Sequence, residues 1–344
     1  MPSVPEFDAP TPEEFRNEIA PRARPAVLRG IAAEWPLVAA AKEGAERWMA
    51  MLSAQATEQP VTILRADPEH EGRFHYTPDG RALNFARGNA SLPALLAALR
   101  KQARNARPYA MAAQGIVAEG VLPGFAESHP LPYVPDRAVP RFWIGNAAKV
   151  ATHNDPNENV AVVVAGRRRF TLFPPDQVGN LYLGPLDFTP AGVPVSMVHV
   201  TAPDLEKYPR FAEALEAALT AELAPGDGLF IPYAWYHHVE SLEPFNMLVN
   251  YWWNEARSDV GSPRNAMFHG LLSLRPLPPH QRAAWKAMFD HYVFALDGDP
   301  ADHLNAEVAG VLGPVTPEAI AEVRQALIDA LTRDAERGDA GGED

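Results

Sequence analysis

The chain has 344 residues, 47% of them hydrophobic, and a formal charge of −13. That is enough apolar matter for one large domain or two modest ones, and the wrong sign for non-specific binding to nucleic acid or anionic lipid. The absence of cysteine excludes disulfides, thiolate zinc sites, iron–sulfur clusters and a thiol nucleophile, leaving His, carboxylate and amide groups for any metal.

In chain order, the N-terminal run shows no basic segment leading into an apolar one, and no apolar stretch nears the roughly 20 residues of a bilayer span. A cytoplasmic protein with no membrane or nucleic-acid partner is expected. Thr11 and Pro12, with acids behind them, mark a short helix over 11–20. RPAVLRG (24–30) and PVTILRA (60–66) have strand composition, and LPALLAALRKQ (92–102) has helical leucine spacing. Residues 1–107 are therefore mixed α/β elements that pack on a barrel formed by the next segment.

From 108 to 254 short strand-like runs dominate: YAMAA, FWIG, NVAVVVAG, RRFTLFP, VHVTA (198–202), DGLFIP and NMLVNYWW, with one helical stretch at 208–223. The 35 prolines of the chain sit between such runs rather than in one block. This pattern predicts an antiparallel barrel or jelly roll. Residues 255–333 carry apolar residues at three- and four-residue spacing and form a helical region. Its last helix starts at Thr316-Pro317-Glu318 and runs to about Arg333, before a polar, disordered tail over 334–344.

The chemistry concentrates in two places. THNDPNENV (152–160) leads into a strand, and residues two apart on an extended chain face the same side, so His153 and Asp155 point together. Downstream, PGDGLFIPYAWYHHVES supplies a turn, an apolar strand and then His237 from a neighbouring strand. Two histidines and one carboxylate on one face of a metal, with the opposite positions open, suit Fe(II). His238 faces the other way on the same strand, which favours a core or supporting role. Within Arg167-Arg168-Arg169, alternation sets Arg168 apart from its neighbours and available to the interior. His75 and Tyr76 are assigned to a surface loop, and His269, His280, His291 and His303 have no ligand spacing.

Asp155, Asn159 and Gly166, then Gly226, Pro232 and His237, match the spacing of two cupin motifs. More closely, RPAVLRG with Trp35-Pro36, HND, GRRRFTLFPPDQ, NLYLGPL, PGDGLFIP, WYHHVES and VNYWW resemble the cupin-like JmjC group, to which the asparaginyl hydroxylases belong. The resemblance covers roughly residues 10–295.

It implies a mainly β fold with α additions, a double-stranded β-helix (cupin/jelly roll) with N-terminal α/β elements and a C-terminal helical region. It implies an Fe(II)- and 2-oxoglutarate-dependent oxygenase that hydroxylates a protein side chain or small molecule, with catalytic metal ligands His153, Asp155 and His237. By position, Tyr109 matches a tyrosine that bonds the cosubstrate carboxylate, Asn159 and Asn250 match polar pocket residues, and Trp252 matches a pocket wall. Arg168 stands where the hydroxylases have a lysine that pairs with the far carboxylate of 2-oxoglutarate, and Val150 where they have a threonine. Dimerisation through the C-terminal helices is implied as well. Two other functions fit the same residues: a non-catalytic cupin-fold binding or regulatory module, and a metal-dependent cupin isomerase or hydrolase.

Overall fold

Runs in which every second residue is apolar become strands whose two faces bury against different partners. The structure, a computed structural model, describes residues 1–340 other than 191, 258 and 306, with side chains as far as 333. It divides into two compact units, Met1–Asn254 and Glu255–Asp344.

In the first unit the strands are β1 (Glu6–Asp8), β2 (Ala26–Arg29), β3 (Pro60–Ala66), β4 (Arg73–Phe74), β5 (Phe85–Ser91), β6 (Ala110–Val117) and β7 (Pro140–Gly145). They continue as β8 (Lys149–Asn154), β9 (Glu158–Ala165), β10 (Arg168–Phe173), β11 (Leu219–Leu223), β12 (Gly228–Ile231), β13 (Tyr236–Ser241) and β14 (Asn246–Trp253). Nine form a large sheet, β1-β2-β12-β9-β14-β7-β6-β3-β5, and five a smaller one, β11-β10-β13-β8-β4. Only β1 with β2 and β4 with β8 pair in parallel among the described strands.

The two sheets face each other. Val163, Leu229 and Leu248 of the large sheet meet Phe170, Leu172 and Val239 of the small one in a single buried cluster, which is the barrel interior. On its other face the large sheet buries Val160, Val162, Phe142 and Val249 against the helices Pro36–Glu43, Ala45–Gln55 and Leu92–Gln102. β9 is thus covered on both sides, which is why ENVAVVVA is a continuous apolar run rather than an alternating one. Outside the small sheet, Phe173 and Tyr236 pack with the helix Phe211–Ala217. The fold is the double-stranded β-helix with helical additions that the sequence implies.

Three local expectations change in this unit. The stretch 208–223 is helical only over Phe211–Ala217, and Leu219–Leu223 becomes β11. Leu219, Ala221 and Leu223 alternate, and pairing with β10 sets them toward the barrel interior, which outweighs the helix preference of Ala, Leu and Glu. The run 198–202 forms turns instead of a strand; Val198 meets its need for burial beside Phe173 and Phe211 without a ladder. His75 and Tyr76 are 6% and 4% exposed and not on a surface loop: the His75 ring bonds the Ser196 carbonyl and the Tyr76 hydroxyl donates to that of Phe188.

The second unit holds helices Pro263–Ser273, Pro279–Tyr292 and Pro317–Ala340. The last runs past Arg333 to Ala340, into the expected tail; residues 341–344 of that tail lie outside the described residues. Among the described residues no helix is long and apolar enough to cross a membrane.

Candidate metal centre

β8 and β13 pair so that His153 lies opposite His237. Between this pair and the next one, Val150 with Val239, β8 carries one residue more than β13. That bulge lets both His153 and Val150 face the barrel, although three positions separate them. β8 ends at Asn154, so Asp155 reaches the site from the turn before β9 instead of from the strand; its carbonyl is held by the Ala234 amide at 3.2 Å.

The ligand atoms of His153, Asp155 and His237 all lie within 4.8 Å of one another, the one such group of three among the described residues. The imidazole centroids are 4.4 Å apart, and His237 Nε2 is 3.7 Å from Asp155 Oδ2. Each Nδ1 sits against a main-chain carbonyl, Ala151 at 2.8 Å for His153 and Trp235 at 3.2 Å for His237. A carbonyl can only accept, so Nδ1 carries the proton and Nε2 is left as the lone-pair donor in both rings. Burial, with His153 adding to it, pulls the His237 pKa down to about 4 against the opposing pull of Asp155. The ring is neutral at neutral pH, the form a metal needs.

The barrel interior is lined by polar groups whose hydrogen-bonding capacity is only partly met. Arg168 shares the face of β10 that carries Phe170 and Leu172, and is 5% exposed. Its Nη2 donates to the Trp143 carbonyl at 3.1 Å, while its Nε has no hydrogen-bond partner. Burial lowers its pKa to about 9, so it remains cationic at neutral pH, yet no carboxylate pairs with it among the described residues. Asn159 and Asn250 lie on the inward faces of β9 and β14. Asn250 Nδ2 donates to Asn159 Oδ1 at 2.8 Å, leaving Asn159 Nδ2 as an open donor and Asn250 Oδ1 as an open acceptor. Trp252, two residues on from Asn250, also leaves its indole N–H unbonded.

Tyr109 is not brought to the triad. Arg65 stacks on its ring at 4.7 Å, and alternation puts it with Met111 on the side facing the helix Leu92–Gln102. Ala110 and Ala112 occupy the opposite side of β6. Two residues not singled out from the sequence do line the barrel. Trp143 packs on the interior cluster with its indole N–H unbonded, 6.0 Å from Trp252. Arg141 lies opposite Asn250 in the β7–β14 ladder, 5.7 Å over the Trp252 ring, with Nη1 on the Gly115 carbonyl at 3.3 Å. Alternation in RFW hinted at a shared face, but which face depends on the pairing with β14.

Fold and site together define a cupin barrel with a two-histidine, one-carboxylate centre. Residues 12–259 match the model of the family described as Cupin-like domain, and the chain belongs to that family. It is 37% identical over 113 residues to Lysine-specific demethylase JMJ31 of Arabidopsis thaliana, covering 33% of this chain and 20% of that protein. It is 28% identical over 285 residues to the human Bifunctional peptidase and (3S)-lysyl hydroxylase JMJD7, covering 73% and 84% respectively. A third relative, tRNA wybutosine-synthesizing protein 5 of Mus musculus, is 37% identical over 108 residues, 31% of each chain. The chain spans about a fifth of the first relative's length.

Proposed function

We propose that the protein is an Fe(II)- and 2-oxoglutarate-dependent oxygenase that hydroxylates a protein side chain or a small molecule. The observation that carries this is Arg168, a buried cation aimed into the same interior as the triad and lacking an anion among the described residues. Burying an unpaired charge costs several kcal/mol, and a carboxylate-bearing ligand removes that cost. The names of the relatives, a demethylase and a hydroxylase, support the same class.

His153, Asp155 and His237 would hold the metal through Nε2 of each ring and a carboxylate oxygen, leaving one side of it for ligands. Fe(II) with 2-oxoglutarate and oxygen supplies the oxidising power, releasing succinate and carbon dioxide. Arg168 would orient the keto acid by pairing with its far carboxylate. Val150 offers that carboxylate no hydroxyl, so Arg168 carries more of its binding. Asn159, Asn250 and Trp252 present an open amide donor, an acceptor and an indole N–H to whatever else enters the barrel. The apolar interior cluster limits water around these groups.

Anaerobic titration of the protein with Fe(II) and 2-oxoglutarate tests the proposal. A metal-to-ligand charge-transfer band, and succinate on admission of oxygen, are expected; absence of both would sink it. Asp155→Ala should abolish the band, and a partner-binding function that survived this substitution would favour a non-catalytic module. We further propose a cytoplasmic homodimer paired through the second unit, in which Leu272 of the helix Pro263–Ser273 is 70% exposed and Phe294 and Leu296, just beyond the helix Pro279–Tyr292, are 61% and 69% exposed.

A further inference from the structure

His238 leaves β13 on the side opposite His237 and enters a second pocket, outside the barrel and behind the metal-bearing strands. The walls include Arg73, His75, Lys149, His199 and His238. We propose that this pocket is a binding site for a phosphate-type oxyanion, separate from the metal centre and independent of the oxygenase assignment.

Three observations carry this. First, His238 is 5% exposed and neither ring nitrogen has a hydrogen-bond partner. The Val150 carbonyl lies close enough to oppose the effect of burial on the ring, but does not meet it at bonding geometry. Buried imidazoles are bonded as a rule, so the ring calls for a group that the chain does not supply.

Second, the surroundings are positive. Lys149 forms no ion pair among the described residues, and Arg73 lines the same space. Burial, followed by the charges of Arg73, His75 and Lys149, drives the His199 pKa down to about 4. Two acids lie near. Glu71 is taken up by Arg73 at 2.6 Å, and Glu240, opposite Lys149 in the ladder, has its carboxylate 3.8 Å from Arg169. Lys149 supplies a cation that no acid takes up among the described residues, so an anion binds without any histidine being protonated, and a neutral His238 still has one N–H to donate.

Third, the ligand class is set by size and grouping. The pocket spans about 300 Å³ of empty space, open solvent included, and has room for about one water-sized group. That suits one oxygen of a tetrahedral anion on His238, with the others toward Lys149 and the opening. A metal ion is disfavoured: His75 and His199 have ring centroids 5.2 Å apart, and these rings bring no three ligand atoms together as the triad does.

Isothermal titration of the full chain with inorganic phosphate at low ionic strength tests the site. One phosphate should bind, Lys149→Gln should weaken it at least about 10-fold, Lys149→Arg should restore it, and Arg168→Met should leave it unchanged. A melting curve for Lys149→Gln checks that it is folded. No heat at millimolar phosphate, full binding by folded Lys149→Gln, or loss in Arg168→Met alone, which would put the anion inside the barrel, overturns the proposal.

Discussion

The Arg168 guanidinium crosses the barrel interior to the main-chain carbonyl of Trp143, 3.1 Å away, and that carbonyl is its one hydrogen-bond partner among the described residues. A carbonyl dipole compensates a buried charge only partly. Arg168→Met should therefore leave thermal stability unchanged or raise it, while weakening 2-oxoglutarate on the order of 100-fold, as loss of one member of a buried ion pair does. Arg168→Lys keeps the charge but not the fork and should fall between the two. Anaerobic 2-oxoglutarate titrations of the three proteins check this; equal affinities would detach Arg168 from the cosubstrate.

Gly166 makes the turn between β9 and β10 with φ +72°, a left-handed conformation that side chains disfavour, and a Cβ there would sit 2.5 Å from both Asn246 Oδ1 and the Phe245 carbonyl. The oxygens belong to the start of β14 and the residue before it, so neither can retreat without disturbing the ladder that carries Asn250. Gly166→Ala should cost about 3 kcal/mol, combining backbone strain with overpacking. A urea midpoint within error of the wild type would contradict this.

The triad was legible because its three residues carry the chemistry in their types and sit at cupin spacings. His153 and Asp155 are so close in the chain that almost any extended conformation brings them together. Arg168 was legible through alternation along β10. Tyr109 shows where this kind of inference fails: a shift of one residue exchanges the two faces of a strand, and the side of β6 toward the barrel belongs to Ala110 and Ala112. Arg141 and Trp143 were not legible, because their inward direction is fixed by pairing with β14, about a hundred residues later. The β8 bulge, which turns both Val150 and His153 inward, leaves no mark in the sequence. The 208–223 stretch was misassigned because alternating and helical apolar spacing overlap in an Ala- and Leu-rich run, and only the edge of β10 decides between them.

His129 ties two distant segments together. Its Nε2 accepts the Leu37 amide at 3.3 Å, at the start of the helix Pro36–Glu43, and its ring stacks on Phe125 with centroids 4.4 Å apart. Burial holds its pKa below the usual 6.5. As pH falls below about 6.5, the unfolded chain takes up a proton that the folded chain resists, so stability is complete above that value and declines toward acid. The slope from one such group is at most about 1.4 kcal/mol per pH unit. His75 and His199 are depressed in the same direction and steepen the decline. His129→Gln keeps an acceptor for Leu37 and should flatten the pH dependence of urea unfolding between about pH 5 and 7 without removing it. Parallel curves for the two proteins would assign the acid sensitivity elsewhere.

The second unit leaves large apolar side chains in solvent at helical spacing: Val323, Leu327, Ile328 and Leu331 on the helix Pro317–Ala340 are each at least 40% exposed. In the proposed dimer, two-fold pairing would bury the same stripe from both copies. The protein, 37.5 kDa as a single chain, should sediment as a dimer at micromolar concentration. Leu327→Glu with Leu331→Glu should shift it to monomer, because each copy would place two charges in the buried seam. Metal affinity should stay unchanged in that variant, since the triad lies wholly within Met1–Asn254. A wild-type protein that stays monomeric at tens of micromolar would remove the stripe from the dimer proposal, and loss of metal binding in the double variant would mean that the second unit supports the barrel.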